Sequence, residues 1–381
     1  MSDNQENIID FSLIEPWNPR DYPVVVNSIR YNQDFSLLTL GTSKGYKIFL
    51  TSTLRQAHEP TEDVIKLGDI GIAMSYYKSS LVFLLPSRLN KDYPNNEIIV
   101  FDDFYQTKFA TFRDKSEEIQ NFFVSKNVIF IITLSKILVL EISSFQVIDI
   151  INNINSINQF LSFNFFDFIA FSELKDKKNI YVKYYHNENH KIIRFQKKQI
   201  TYNFDYIQTI QLSPTGDIIA IVSIYGNKIH LYYTQNGKLK DCIFLGECIQ
   251  TISKVLFSEK KSNYLLVLKN DNKFNIYKIK KVKVEEPKCI CDKYDDRKIT
   301  PEKKDEKNTG LFGYFRKYSR NKDIKETHAF SELEGNILFV DFDRNENKNI
   351  IIINEKGKFI KYHFNKKSSG HITPILSIQW E

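Results

Sequence analysis

A repeat restricts this chain more than any other feature. Short β-forming runs ending in an aromatic or large apolar residue recur at Phe49 (KIFL), Phe101 (IIVF), Leu140 (ILVL), Tyr184 (YVKYY), Tyr232 (IHLYY), Tyr277 (FNIYKI) and Tyr362 (FIKYHF). Successive anchors lie 52, 39, 44, 48, 45 and 85 residues apart. The last interval is one period of about 45 plus a surplus of about 40, and the surplus coincides with a highly charged stretch from about Lys280 to Lys325. Within each unit an apolar run precedes the anchor across a polar turn, as in SLLTLGTSKGYKIFL (36–50), NVIFIITLSKILVLE (127–141) and GDIIAIVSIYGNKIHLYY (216–233). Ile, Val, Phe and Tyr bounded by Gly, Asn, Asp, Ser and Lys is strand and hairpin chemistry. Two stacked β-sandwiches would also supply many strands, but they carry no regular period near 45. The spacing therefore predicts an all-β, seven-bladed β-propeller, whose radial repetition leaves only short sheet edges. Seven units use about 315 residues. The expected layout is an N-terminal tail over 1–20, a propeller over 21–381 and a charged insertion over 280–325 within blade six. Either IIDFSLI (8–14) or ILSIQW (375–380) is a candidate to close the ring against blade seven.

Composition agrees and excludes other classes. Hydrophobic residues make up 42 % and aromatics 14 %, enough to build a large core, while 13 Gly and 10 Pro exclude a collagen-like or linker-dominated chain. Apolar runs such as Val128–Thr133 and Ile350–Ile353 fall far short of the roughly 18 residues that a spanning helix needs. The first 20 residues are acidic and polar, without the basic and then apolar pattern of a signal peptide, so the expected compartment is the cytoplasm. Four cysteines, Cys242, Cys248, Cys289 and Cys291, are too few for a disulfide scaffold and fit reducing conditions. The net charge of +7 belongs to one segment: Lys278 to Lys325 holds 16 Lys/Arg against 9 Asp/Glu, which is itself +7. A nucleic-acid-binding face would spread its cations over the folded surface, so no nucleic acid is expected.

Catalytic and metal patterns are missing. His186 and His190 form H-x-x-x-H without the glutamate of a zinc protease, and Cys289-Ile290-Cys291 is half of a thiolate site with no second half. No G-x-S-x-G, P-loop or dinucleotide glycine pattern occurs, and Asp295-Asp296 lies in the charged stretch. The expectation is a non-catalytic protein without cofactor or metal.

The fifth unit, LSPTGDIIAIVSIYGNKIHLYYTQNGK (212–238), resembles a WD-repeat blade, with turns at Ser213-Pro214-Thr215-Gly216 and Gly226-Asn227, although the Trp-Asp pair is missing throughout. Three segments are more specific: YNQDFSLLTLGTSKGYKIF (31–49), GDIGIAMSYYKSSLVFLL (68–85) and NEIIVFDDFYQ (96–106). They resemble the opening of the PROPPIN family, the phosphoinositide-binding autophagy propellers also called the WIPI group. The Asp102-Asp103 pair is especially similar to that family's shorter branch. The resemblance runs with gaps from Tyr31 to Tyr362 and is weak in blades three and four.

The resemblance implies two lipid headgroup pockets, each served by one arginine of a Phe/Leu-Arg-Arg-Gly motif between blades five and six. Arginine suits that task because its planar fork grips a phosphate bidentately. Here the aligned residues are Ile243-Phe244-Leu245-Gly246, and both arginines are gone. The degenerate pocket set comprises Ser223, Asn227, His230, Phe244, Leu245, Gly246, Lys273 and Asn275, of which Ser223 and Gly246 match the family. Lys228, Lys269 and Lys273 offer substitute charge or serve as blade-edge residues that discourage strand pairing. Weakened or altered phosphatidylinositol 3-phosphate binding is expected.

The insertion carries Leu311, Phe312, Tyr314 and Phe315 just ahead of Arg316, Lys317 and Arg320. Aromatic rings at headgroup depth with cations facing anionic lipid form a membrane-contact element, and the family's loop at this place inserts into membranes. Folding back onto the propeller or docking into a partner is the competing outcome. The implied role is a monomeric cytoplasmic adaptor, peripheral on phagophore or endosomal membranes. It would bind an anionic or phosphoinositide-containing membrane and the autophagy lipid-transfer protein or another protein partner. Asp102 and Asp103 are the candidate partner contacts, and a strand-end turn in which Asp accepts backbone N–H groups is the alternative. The competing function is a protein-interaction WD-repeat scaffold without lipid binding.

Overall fold

A computed structural model describes residues 24–279 and 336–379, except 59, 155–160, 175, 189–190, 195–197, 203–205, 247–248, 250, 259–263, 272, 344–348, 356 and 365–371. Its strands form seven antiparallel sheets that follow one another in chain order. Blade one holds β1 (Val26–Tyr31), β2 (Leu37–Thr42) and β3 (Gly45–Leu50), followed by the one-turn helix α1 (Glu62–Ile65). Blade two is β4 (Ile70–Ser75), β5 (Leu81–Pro86), β6 (Glu97–Asp102) and β7 (Thr107–Arg113). Blade three is β8 (Asn121–Val124), β9 (Val128–Ile132), β10 (Lys136–Glu141) and β11 (Val147–Asn152). Blade four is β12 (Leu161–Phe163), β13 (Phe168–Glu173), β14 (Asp176–Glu188), β15 (Lys191–Arg194) and β16 (Lys198–Thr201). Blade five is β17 (Ile207–Leu212), β18 (Ile218–Ser223), β19 (Lys228–Tyr233) and β20 (Leu239–Phe244). Blade six shows β21 (Ile252–Phe257), β22 (Tyr264–Lys269) and β23 (Phe274–Lys278). Blade seven is β24 (Ile337–Phe342), β25 (Asn349–Asn354), β26 (Lys358–Phe364) and β27 (Ile372–Gln379).

Each sequence anchor falls in the third strand of its blade, and each preceding apolar run is the second strand. Those second strands are mostly apolar because both faces are covered: β9 (VIFII) and β18 (IIAIVS) are buried at every position. A strand pressed between two neighbouring blades has no solvent face on which to alternate. The outer β7 (TKFATFR) has no buried position, because it faces water.

Seven apolar clusters fill the seven seams between adjacent blades. The ring closes where Tyr31, Leu38, Leu40 and Phe49 of blade one meet Phe339, Ile351, Ile353 and Phe359 of blade seven. Among the described residues this seam is made of side chains and no strand crosses it. Residues 375–379 of ILSIQW lie in β27, the fourth strand of blade seven, whereas Trp380 and IIDFSLI lie outside the described residues.

Two local features depart from the sequence period. Blade one has three described strands, and α1 with the segment before it packs where a fourth would lie. Thr61 caps α1 by accepting the Val64 N–H, and Val64 is buried in the seam with blade two. In blade four, β14 runs 13 residues; its first part pairs β16 and its last part forms a hairpin with β15 that contains His186.

Candidate functional surfaces

Antiparallel order gives the ring two ends. Connections from the fourth strand of one blade to the first of the next share an end with the turns joining second and third strands. The other end carries the remaining turns.

At the first end of blade five stand most of the residues aligned with the lipid motif. Ser223 Oγ donates to Asn227 Oδ1 (3.0 Å) and accepts the Lys228 N–H (3.3 Å), so the two polar side chains close their own turn. His230 is fully buried, with Nδ1 3.1 Å from the Tyr202 hydroxyl of blade four. Asn275 is buried in β23 and donates to the Tyr277 hydroxyl at 2.9 Å. Lys273 pairs with Asp271 at 3.2 Å, which diverts its charge from a pocket. Leu245 is buried, and its N–H bonds the Asn227 carbonyl (2.8 Å). Gly246 has φ +134°, a conformation that side chains resist, and the residue type suits it. No arginine occurs between Arg194 and Arg297, so blades five and six hold no guanidinium among their strands.

The same end exposes Phe244, already named from the sequence, together with apolar groups that sequence reasoning missed. Phe244 is 49 % and Ile249 76 % exposed, and Tyr206, Ile224 and Tyr225 at the same end are exposed as well. Hydrogen bonds join these segments: the Ile224 N–H bonds the Tyr206 carbonyl, and Lys228 pairs with Phe244 in the ladder. The signal was Ile-Tyr in a turn that otherwise reads Gly-Asn, where polar residues are usual.

Blade two presents the second expected surface at the opposite end. Asp102 Oδ1 accepts the N–H groups of Phe104 (3.0 Å) and Tyr105 (3.2 Å), building the turn between β6 and β7. Burial pushes the Asp102 pKa up, but the N–H of Tyr105, the Ser80 hydroxyl and the N–H of Phe104 outweigh it, and the carboxyl lies below its ordinary range. Asp103 points into the seam with blade one. It accepts the Tyr46 hydroxyl at 2.5 Å and pairs with His58 Nε2 at 2.7 Å. Burial and then Asp103 drive the Tyr46 pKa far above the normal phenol value. Around this turn Phe104 (77 %), Tyr105 and Phe109 stand exposed, the first two in an edge-to-face pair 5.0 Å apart. At the first end, between blades two and three, a cleft of about 210 Å³ is lined by Arg88, Tyr93 and Glu118, with Arg88 and Glu118 paired at 3.0 Å.

The insertion residues Leu311, Phe312, Tyr314, Phe315, Arg316, Lys317 and Arg320 lie outside the described residues, between β23 and β24. Among the described residues no group of three His, Cys, Asp or Glu side chains could hold a metal, and no helix is long and apolar enough to cross a membrane.

Comparison with known proteins places this architecture. Kluyveromyces lactis Hsv2 superposes with a TM-score of 0.69 at 13 % identity, covering 94 % of this chain and 99 % of that one. This is the PROPPIN fold. Kluyveromyces marxianus Hsv2 has a TM-score of 0.64 at 13 % identity over 94 % of this chain and 99 % of its own. The propeller KlAtg21, solved in complex with the coiled-coil of AgAtg16, has a TM-score of 0.64 at 13 % identity, covering 94 % and 100 %. No family model matches the sequence. Autophagy-related protein 18 of Aspergillus terreus and of Neosartorya fischeri are each 37 % identical over 68 residues, 17 % of this chain. The match spans only 15 % of the length of those curated relatives. The superposition shows the PROPPIN fold, and at 13 % identity it shows the fold alone, with most side chains changed.

Proposed function

We propose that this chain is a divergent PROPPIN acting as a non-catalytic, autophagy-related adaptor. It is recruited peripherally to phagophore or endosomal membranes and holds protein partners there. The observation that carries the membrane half is the first end of blade five, where Phe244, at the family's arginine motif, and Ile249, five residues on in the connection to blade six, are both exposed. Burying the exposed fractions of these two side chains, 49 % and 76 %, is worth together about 2–4 kcal/mol at roughly 1.5–3 kcal/mol per fully buried side chain. Lys228, Lys269 and Lys273 border the turns between the second and third strands of blades five and six at this same end, and attract anionic lipid at about 1 kcal/mol each before pairing is discounted. The basic, aromatic Leu311–Arg320 segment adds a second contact in this reading. Phosphatidylinositol 3-phosphate then adds little beyond its charge, because no guanidinium grips it. For the partner half, the likeness to KlAtg21 supports a coiled-coil as one partner class, and the autophagy lipid-transfer protein is another.

Flotation with neutral vesicles, vesicles containing phosphatidylserine, and vesicles with graded phosphatidylinositol 3-phosphate tests this. Binding to all anionic vesicles, weakened at least tenfold by Phe244→Asp with Ile249→Asp, is the expected result. Protein left unfloated at every composition ends the membrane reading. The second reading is a protein-interaction scaffold without lipid binding. It is favoured by the internal hydrogen bonds of Ser223, Asn227 and Asn275, which occupy groups that a headgroup would need.

A further inference from the structure

Blades of a propeller touch their two neighbours. Blade one reaches further. Arg30 of β1 sends Nη1 to the Phe122 carbonyl (2.8 Å) and Nη2 to Asn121 Oδ1 (2.7 Å), both in the first strand of blade three. Gln33, in the turn after β1, donates to the Val124 carbonyl of blade three (3.0 Å) and accepts the Tyr77 N–H of blade two (2.6 Å). Phe35 of the same turn meets Phe165 of blade four edge-to-face at 4.9 Å, and Phe165 packs on Phe123 of blade three at 4.9 Å. Behind these contacts Phe35 supports Tyr31 (5.5 Å), which packs on Phe339 of blade seven (5.4 Å). Residues 30–35 thus touch blades two, three, four and seven.

The backbone gives an independent reason to read this as a device. Phe35 has φ +61°, a left-handed conformation that a bulky side chain resists. Its N–H bonds the Asn32 carbonyl at 3.1 Å, as the N–H of Gly216 bonds the Ser213 carbonyl at 3.0 Å in the corresponding turn of blade five. There the residue is glycine, with φ +76°. Local geometry favours glycine at both places, yet blade one holds phenylalanine, and its ring spans to blade four. Arg30 adds a second cost: burial lowers its pKa to about 10, and its partners are neutral oxygens. A strained residue and a partly desolvated cation persist together when the surrounding structure gains from both.

We propose that Arg30, Gln33 and Phe35 form an internal lock that closes the ring from inside. The lock tethers blade one to blades three and four across the channel, and so holds the side-chain seam between blades one and seven. The same aromatic bridge narrows the channel near the end where the turns following the first strands lie.

Phe35→Gly is the decisive variant, because it imports blade five's own turn residue. If Phe35 merely fills a turn, glycine relieves strain and raises the melting temperature. The lock predicts a fall of about 3–5 °C. It also predicts amide exchange roughly tenfold faster or more in β1, β25 and β26, with the seam between blades five and six unchanged. Phe165→Leu, a milder change in blade four, must loosen the same seam between blades one and seven, which packing between neighbours alone does not produce. Arg30→Lys keeps the charge, loses the paired hydrogen bonds to blade three and must act in the same direction. A raised melting temperature for Phe35→Gly, or exchange changes confined to blades three and four in Phe165→Leu, would overturn the proposal.

Discussion

Replacing Asp103 by alanine separates a joint of the ring from a free contact for partners. Its side chain is 15 % exposed and takes the Tyr46 hydroxyl at 2.5 Å and His58 Nε2 at 2.7 Å, both from blade one. Tyr46 is 1 % exposed, so truncating its acceptor strands a buried hydroxyl. That costs about 1–3 kcal/mol. The His58 side chain is 41 % exposed, and its contact adds no more than about 1 kcal/mol after solvent screening. The sum is about 1–4 kcal/mol. With an unfolding entropy of about 2.1 cal/mol/K per residue over 381 residues, roughly 0.8 kcal/mol/K, the melting temperature falls by about 1–5 °C. Scanning calorimetry on Asp103→Ala, Tyr46→Phe and the double variant measures it. Tyr46→Phe removes the stranded donor, so Asp103→Ala must cost clearly less in that background. Asp102→Ala, at an exposed turn, must cost less than Asp103→Ala in the wild-type chain. Full additivity of the two changes, or an unaltered melting temperature in Asp103→Ala, would refute the reasoning. A weakened partner signal in Asp103 variants then reports a loosened seam between blades one and two before it reports a lost contact.

Two further perturbations follow from buried charges. Lys183 Nζ and the Tyr185 hydroxyl both reach Asp149 Oδ2, at 2.8 and 2.7 Å, across the seam between blades three and four. Asp149→Leu alone should cost about 3–5 kcal/mol by leaving the lysine buried and uncompensated, while Asp149→Leu with Lys183→Met and Tyr185→Phe, which also removes the hydroxyl that loses its acceptor, should recover most of that loss in urea denaturation. The acid limb of stability divides by carboxylate. Burial pushes the Asp114 pKa up, but the Ser116 hydroxyl and N–H and then Lys136 outweigh it, so its folded pKa is lowered and its contribution disappears as pH falls through that value. For Asp167, burial raises the pKa despite bonds from Asn127 and Ser125, so its contribution is full below the ordinary carboxylate pKa and is lost as pH rises through the folded value. Melting temperatures from pH 3 to 7 should therefore rise less steeply with pH in Asp114→Asn and more steeply in Asp167→Asn. Shifts of the same sign in both variants would contradict this.

What the amino-acid sequence determined by itself is the architecture. A period near 45, with an apolar run ahead of each anchor, suffices to name the blades and their second and third strands, because burial on both faces of a strand is a local demand written in consecutive residues. The resemblance in 31–106 pointed to the PROPPIN fold, and the missing arginines were equally visible, since their positions follow from nearby strands. Tertiary structure decided what individual side chains do. Asp102 and Asp103 are adjacent in the chain, yet one builds an exposed turn and the other enters a seam, which depends on Tyr46 and His58 from another blade. His230 is enclosed because Tyr202 of blade four meets it. Phe35 and Phe165, and Arg30 and Phe122, become neighbours only once the ring has closed. No local pattern encodes contacts across a channel, because they depend on the radius and order of seven sheets packed together.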